Sequence, residues 1–362
     1  FKQKTAYEIR LSLVGSEMCI RDRAHGSGQQ QDHSDPKRPA HHTFLNLFNV
    51  TAALQLARRS GAMSMLRVIT DQPPKDKPFR PPWLRVKAPQ GEVFERVRRL
   101  KETLRLNTVC ESAACPNLGE CWGRGTATFM INGNLCTRAC RFCDVQSGRA
   151  GPLDPLEGER VAEMTQLLEL KFVVITAVSR DDLSDGGAVG FVNTLEALQR
   201  RVPDCGREVL IPDFNGDEGP LKAVLDAHPH VLNHNIETCE RLTPNIRSGA
   251  EYRRSLKVLE NAKRLRPQVL TKSGIMLGLG EEDHEVDTAL QDLRAHGVDG
   301  VTLGQYLSPS SWHRPVDRWV PPDQFKRWED RCYALGFRLV ASGPLVRSSY
   351  HAEHAQDVLA KG

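Results

Sequence analysis

Thr126-Ala-Thr-Phe-Met-Ile131 is a short apolar run, and it leads almost at once into Cys136-Thr-Arg-Ala-Cys140-Arg-Phe-Cys143. The first segment reads as a β-strand, and the second places three thiols with C-x3-C-x2-C spacing on the loop behind it. Three thiolates are one short of a closed four-ligand site, so a fourth position stays open for a cofactor or substrate. A zinc ribbon built from the same residues would want paired C-x2-C knuckles. Cys140 and Cys143 form the only such pair.

Outward from this loop, strands and helices alternate. Strands are predicted at Thr126–Ile131, Phe172–Val178, Glu208–Pro212, Val231–Asn235, Val269–Met276, Gly300–Leu303 and Phe337–Ala341. Amphipathic helices are predicted between them, at Glu157–Leu170, Phe191–Val202, Leu221–His228, Tyr252–Leu265, Glu285–His296 and Pro322–Leu335. Short apolar strands alternating with helices give an α/β fold with a parallel sheet, wound as a barrel or left open. Sites in such folds lie at the carboxyl ends of the strands. Ser179–Asp182, Asn233–Thr238, Gly278–Gly280 and Gln305–Tyr306 all fall there.

Upstream, Gln72–Pro89 is too proline-rich for a helix and is expected to run extended, with Trp83 and Leu84 as apolar anchors. Val93, Val97, Leu100, Leu104 and Leu106 then mark a helical stripe. It ends at a second thiol triad, Cys110, Cys115 and Cys121, spaced C-x4-C-x5-C. The other four cysteines, Cys19, Cys205, Cys239 and Cys332, are scattered and read as core or incidental thiols. Clustered thiols in a chain without a clear secretory signal point to metal binding in a reducing compartment.

The formal charge of +4 resides wholly in residues 1–62, which hold nine Lys/Arg and five Asp/Glu; the remainder holds 40 of each sign. A neutral body gives no electrostatic case for nucleic acid or an anionic membrane, and no apolar run approaches the roughly 20 residues that span a bilayer. Residues 1–62 are expected to lie outside the fold, as adapter or untranslated read-through or as an organellar transit segment.

The cysteine loop resembles that of the radical S-adenosylmethionine superfamily. Cys110-Glu-Ser-Ala-Ala-Cys115-Pro-Asn-Leu-Gly-Glu-Cys121-Trp resembles the auxiliary-cluster motif of lipoyl synthases within it. The resemblance continues through Thr176–Ala188, Asn233–Thr238, Thr271–Glu281 and Gly343–His351, and covers about residues 72–355. It implies a partial (βα)6 TIM-like barrel at 125–343, with extensions at 63–124 and 344–362 carrying an auxiliary iron–sulfur cluster. It implies two [4Fe-4S] clusters and S-adenosyl-L-methionine. The reaction implied is radical insertion of sulfur at C6 and C8 of a protein-bound octanoyl-lysine, with the auxiliary cluster as sulfur source. Those C–H bonds are not usefully acidic, so the cofactors must bring the chemistry.

By the same resemblance, Cys136, Cys140 and Cys143 hold the cofactor-cleaving cluster. Cys110, Cys115 and Cys121 hold the auxiliary one, with Ser349 of Arg347-Ser-Ser-Tyr350 as its fourth ligand. Phe142 is placed beside the adenine, and Ser179, Asp185, Gly186, Gly187, Asn235 and Glu237 are expected to contact the cofactor. The glycines read equally well as a tight turn before a helix, Ser348 and Ser349 as a hydrogen-bonding turn, and Lys272 as a lumen residue or half of a buried ion pair. His234, His313 and His351 could shuttle protons or be satisfied histidines. Gly278-x-Gly280 is weak as a phosphate loop. Ser308–Val316 departs from the family pattern, which puts lid or carrier contacts in doubt.

The implied partners are an octanoylated lipoyl carrier, either glycine-cleavage H protein or a 2-oxoacid dehydrogenase E2 domain, and an electron donor such as flavodoxin or ferredoxin. The implied location is the cytoplasm, or a mitochondrion or plastid if the leader is a transit segment. Competing readings are another two-cluster radical enzyme, such as a methylthiotransferase or biotin-synthase-like sulfur inserter, and a zinc-stabilised binding module. The first-triad sequence and Arg347-Ser-Ser-Tyr350 weigh against the former; the βα alternation weighs against the latter.

Overall fold

The computed structural model describes residues 80–86, 90–124, 128–350, 352–355 and 358. Residues 1–62 and His351 therefore lie outside it. A single turn of 3-10 helix at Pro82–Leu84 precedes helix α1 (Glu92–Thr103), strand β1 (Asn107–Thr108) and two short helices, α2 (Val109–Ser112) and α3 (Leu118–Gly123). Then follow β2 (Thr128–Ile131), α4 (Glu157–Leu167), β3 (Phe172–Ala177), α5 (Ala188–Arg201), β4 (Gly206–Leu210), α6 (Glu218–Asp226) and β5 (Val231–Asn233). The chain continues with α7 (Thr243–Ile246), α8 (Tyr252–Leu265), β6 (Leu270–Leu277), α9 (Asp283–Ala295), β7 (Gly300–Gln305), α10 (Pro322–Ala334) and β8 (Leu339–Gly343).

The eight strands form one sheet in chain order. β1 pairs antiparallel with β2, and every pair from β2 to β8 is parallel. Six βα units closed by a final strand make the partial barrel that the alternation predicts. Among the described residues no pairing joins β8 back to β1, so the barrel stays open. The expected elements hold, with ends displaced by a few residues, while Thr126 and Ala127 fall outside the described set. One anchor expectation fails. Leu84 is buried, but Trp83 is 40% exposed, because the 3-10 turn directs adjacent side chains to different sides.

Strand alternation sorts the core. Val173, Ile175, Val209, Leu232 and Ile275 join the large apolar cluster shared with the helices. Alternate residues Phe172, Val174, Val231 and Leu270 pack instead with Ala352, Ala355 and Val358, so the C-terminal segment fills the lumen at the amino ends of the strands. Lys272 and Glu208 share that inward set and form a buried ion pair, Nζ to Oε1 at 2.7 Å, with Asn233 Nδ2 donating to Glu208 at 3.0 Å. Of the two readings open for Lys272, the ion pair and the lumen both apply. Cys205, Cys239 and Cys332 are buried thiols, as expected of scattered cysteines.

Candidate functional site

The loop carrying Cys136, Cys140 and Cys143 leaves the carboxyl end of β2 and is tied down by the loops behind β3, β4, β5 and β7. Thr137 donates its N–H to Ser179 O (3.1 Å) and its hydroxyl to Asp181 (2.7 Å). Arg138 forks onto Asp181 at 2.9 and 2.7 Å and also reaches Asp213 at 2.7 Å, while Asp213 accepts from Arg254 at 2.8 Å. Arg141 N–H donates to Ile246 O at 2.8 Å. His313 Nε2 donates to the carbonyl of Cys143 at 2.9 Å, and its Nδ1 contacts Ser310 Oγ at 2.8 Å. A loop fixed from four sides by rigid strand ends holds its thiols with little freedom to wander.

Beside these thiols, the chain after β5 forms a pocket of acceptors. Asn235 Nδ2 donates to Glu237 Oε1 at 3.1 Å, which leaves Asn235 Oδ1 buried with no partner. Gly274 allows this close approach: a Cβ there would lie 2.8 Å from Asn235 Oδ1. Arg247, itself buried, holds the turn by donating to Asn235 O and Ser255 Oγ, each at 2.9 Å. Burial raises the Glu237 pKa against the pull of Arg247, and the Glu237 charge is felt at Cys140 and Cys143. An orphaned carbonyl beside a carboxyl group suits a cationic amine. Phe142 is partly buried against the Cys239, Leu242, Ile246, Leu279 and Tyr306 cluster.

The glycine pair follows on the loop behind β3, which also carries Ser179 and Asp181. Gly186 and Gly187 have φ of 60° and 86°, and Asp185 accepts from the N–H groups of Gly187 (3.0 Å) and Val189 (2.8 Å), so the three form the turn that starts α5. Gly278-x-Gly280 is occupied from within: Glu281 accepts from the Gly278 and Leu279 N–H groups at 2.7 and 2.8 Å, which fills the place a phosphate would take.

The first triad gathers on α2, α3 and the turn between them. Burial pushes the Cys110 thiol up to about 12 and Cys121 up to about 11, with the neighbouring thiols adding to both. In the second triad burial raises Cys143 to about 12 and Cys140 to about 11. Buried thiols whose charges repel one another ionise only when cationic metal compensates them. Among the described residues no three His, Cys, Asp or Glu side chains converge on one point as ligands of a single ion would. Three soft thiol donors on each short segment are the ligand type that iron–sulfur clusters take, so the chemistry of the donor set fits them.

The C-terminal segment closes over the first triad. Asn117 Nδ2 donates to Leu345 O at 2.7 Å, Tyr350 Oη to Glu120 at 3.2 Å, and Arg124 pairs with Glu353 at 2.6 Å. Ser349 is thereby brought to the neighbourhood of cysteines more than two hundred residues earlier. Arg347 is attracted to both Cys115 of the first triad and Glu237, the carboxyl group beside the second.

Sequence reasoning overlooked Arg138, Asp213, Arg247 and Arg347. Arg138 and Arg347 were detectable as charges inside the two motifs. Asp213 and Arg247 gain their meaning only from partners distant in sequence. His234 proves to be a satisfied histidine on one side: Nδ1 donates to Ile211 O at 2.9 Å, and Nε2 is buried without a partner. Burial, with Arg247 adding, lowers its pKa to about 4. The unfolded chain then protonates first, so this contribution to stability is complete above about pH 6.5 and shrinks as pH falls toward 4. Between pH 7.5 and 5 the expected loss is on the order of 2 kcal/mol. Denaturant unfolding of His234→Gln should show a correspondingly shallower pH dependence than the parent; equal slopes would refute the assignment.

The Radical SAM superfamily model matches residues 130–293. The chain is 51% identical over 292 residues to the lipoyl synthase of Thioalkalivibrio sulfidiphilus, covering 80% of this chain and 91% of that protein. It is 50% identical over 289 residues to the lipoyl synthase of Laribacter hongkongensis, covering 79% and 92%. To the Thermus thermophilus lipoyl synthase it is 51% identical over 276 residues, covering 76% and 85%.

Proposed function

This chain belongs to the lipoyl synthase family of the radical S-adenosylmethionine superfamily, and from that premise we propose how its own residues divide the work. The enzyme inserts sulfur into a protein-bound octanoyl group to give the lipoyl cofactor. Two [4Fe-4S] clusters and S-adenosyl-L-methionine, when bound, supply the one-electron chemistry and the sulfur.

Cys136, Cys140 and Cys143 hold the cofactor-cleaving cluster in our reading, with Thr137, Arg138 and His313 fixing their loop. Asn235 and Glu237 receive the ammonium group of S-adenosylmethionine, and Phe142 flanks its adenine. Ser179 reaches the site through the cysteine loop. Asp185, Gly186 and Gly187 serve from the start of α5. Cys110, Cys115 and Cys121 hold the auxiliary cluster, with Ser349 as fourth ligand. The domain division we assign is extension 63–124, barrel 125–343 and closing segment 344–362, with 1–62 as read-through or a transit segment. The observation that carries this reading is the docking of the Leu345–Tyr350 stretch onto the first triad, through Asn117 and Glu120.

We assign the octanoylated H protein or an E2 lipoyl domain as carrier, and flavodoxin or ferredoxin as electron donor. Among the described residues no helix is long and apolar enough to cross a membrane. Reduced clusters need a reducing compartment, which favours the cytoplasm, or an organelle matrix if the leader is a transit segment.

The test is an anaerobic assay of protein reconstituted with iron and sulfide, given octanoyl-lysine peptide, S-adenosylmethionine and a strong reductant. Dithiolated peptide with 5′-deoxyadenosine is expected; 5′-deoxyadenosine without sulfur in the peptide would overturn the assignment of the first triad. Ser349→Cys tests the fourth ligand. A hydroxyl is a poor ligand for soft metal and leaves readily, whereas thiolate stays. The variant should keep its iron and lose sulfur insertion. Undiminished product would count against a role for lability at that fourth position.

A further inference from the structure

At the opposite end of the barrel, the amino ends of β4, β5 and β6 surround a cavity of about 290 Å³ lined by Arg207, His228, His230, Arg266 and Gln268 among others. Three arginines are buried among the described residues. Arg180 is paired with Asp182, and Arg247 is attracted by Glu237. Arg207 has no carboxylate partner of either kind among the described residues, only the Cys205 thiol nearby. Its Nη1 donates to the carbonyls of Pro203 and Cys205, each at 3.2 Å, and its Nε is buried with no acceptor. No carboxylate among the described residues lies within ion-pair distance of it, although a buried cation without a counter-charge is strongly disfavoured.

The rest of the lining compounds the deficit. The Arg207 backbone N–H donates to His230 Nδ1 at 3.1 Å, so a neutral His230 carries its hydrogen on Nε2. Arg266 Nη1 lies 3.0 Å from His228 Nδ1, and since a guanidinium only donates, His228 too keeps its hydrogen on Nε2. His228 is held at a φ of 56°, a left-handed backbone rare outside glycine. Arg266 has one carboxylate partner, Asp226 at 3.0 Å. Arg266 is thus partly compensated, whereas Arg207 and the two imidazoles offer donors around the cavity with no carboxylate on them among the described residues.

We propose that this cavity binds a small oxyanion of the phosphate class, as free phosphate or as the phosphoryl group of a small metabolite, held by Arg207 with His228, His230 and Arg266. The volume, at the lower edge of the usual range of about 300–1,000 Å³ for small-molecule pockets, admits a phosphate ion or a small phosphorylated metabolite. Because the site stands at the end of the strands away from the cysteine loops, its ligand stabilises the barrel and takes no part in sulfur insertion. By linkage, an anion that binds only the folded chain raises its unfolding temperature saturably.

The test uses the reconstituted holoenzyme under anaerobic conditions at constant ionic strength. Inorganic phosphate and glycerol phosphate are titrated in separate arms, with chloride as the control. Thermal unfolding and equilibrium dialysis are the readouts. One equivalent of phosphate per chain and a saturable rise in unfolding temperature are expected. In Arg207→Gln, affinity should fall roughly tenfold or more. Tighter binding of glycerol phosphate would assign the ligand to a phosphorylated metabolite, and equal or weaker binding to free phosphate. His230→Asp keeps the test decisive should Arg207→Gln fold poorly, because it supplies a carboxylate from within. That variant should unfold higher than the parent without phosphate and respond to phosphate little or not at all. Absence of saturable binding to the parent, or unchanged binding by both variants, would overturn the proposal.

Discussion

Cys115→Ala is expected to carry about half the parent's iron and still form 5′-deoxyadenosine, while its yield of sulfur-containing product falls roughly 1,000-fold or more, on the order of 4 kcal/mol of transition-state stabilisation. The physical basis is the separation of the triads. Cys136, Cys140 and Cys143 are fixed by contacts from the strand-end loops, among them Thr137 to Asp181, Arg138 to Asp213 and His313 to Cys143 O, none of which involves α2 or α3. Cys115 instead sits between α2 and α3 under the C-terminal segment, where Asn117 holds Leu345 O. Cys140→Ala should show the opposite pattern, with neither 5′-deoxyadenosine nor sulfur product. Two readouts therefore separate two centres, which a single activity assay cannot do. If Cys115→Ala lost 5′-deoxyadenosine in step with the sulfur product, the two-centre division of labour would be wrong. Such coupling could rest on Arg347, which is attracted both to Cys115 and to Glu237.

Asp213→Ala should destabilise the fold by about 3–5 kcal/mol, the range for removing one partner of a buried charge cluster. Asp213 has a fully buried side chain and accepts from Arg138, 8% exposed, and from Arg254, 19% exposed. The two guanidiniums hold its carboxyl well below the usual carboxylate range, against the opposing effect of burial. A depressed carboxylate contributes stability above its unfolded pKa of about 3.9 and loses it as pH falls toward the folded value. Removing it leaves two cations facing each other beside the cysteine loop. Arg138 would retain Asp181, so the loop should loosen without detaching. Arg254→Ala is expected to cost clearly less, because Arg254 is more exposed and Asp213 keeps Arg138. Denaturant midpoints of both variants test this. A loss under about 1 kcal/mol for Asp213→Ala would mean that water or chain relaxation replaces the carboxylate.

The parallel sheet was legible because apolar strands and amphipathic helices alternate with short connections, and each strand then lies beside the next. The cysteine triads were legible for a related reason: each is a local cluster, and spacing alone brings its thiols onto one loop or one pair of short helices. The expectation for Trp83 failed on a local detail, the 3-10 turn at Pro82–Leu84. Asp185 and the glycines after it show a different limit. Sequence allowed either a cofactor contact or a helix-starting turn, and the bonds to Gly187 and Val189 make the turn real whatever else the segment does.

The sequence by itself determined the periodicity of the barrel, the two sets of thiols and the family, because each is written in residues close together along the chain. Tertiary structure alone decided which charges are compensated. Arg138 finds Asp213, Lys272 finds Glu208, Arg347 is drawn to both Cys115 and Glu237, and Arg207 is buried with no carboxylate beside it among the described residues. These relations join residues tens to hundreds of positions apart, and their strength depends on burial. A charge that water would screen becomes decisive once the fold excludes the water.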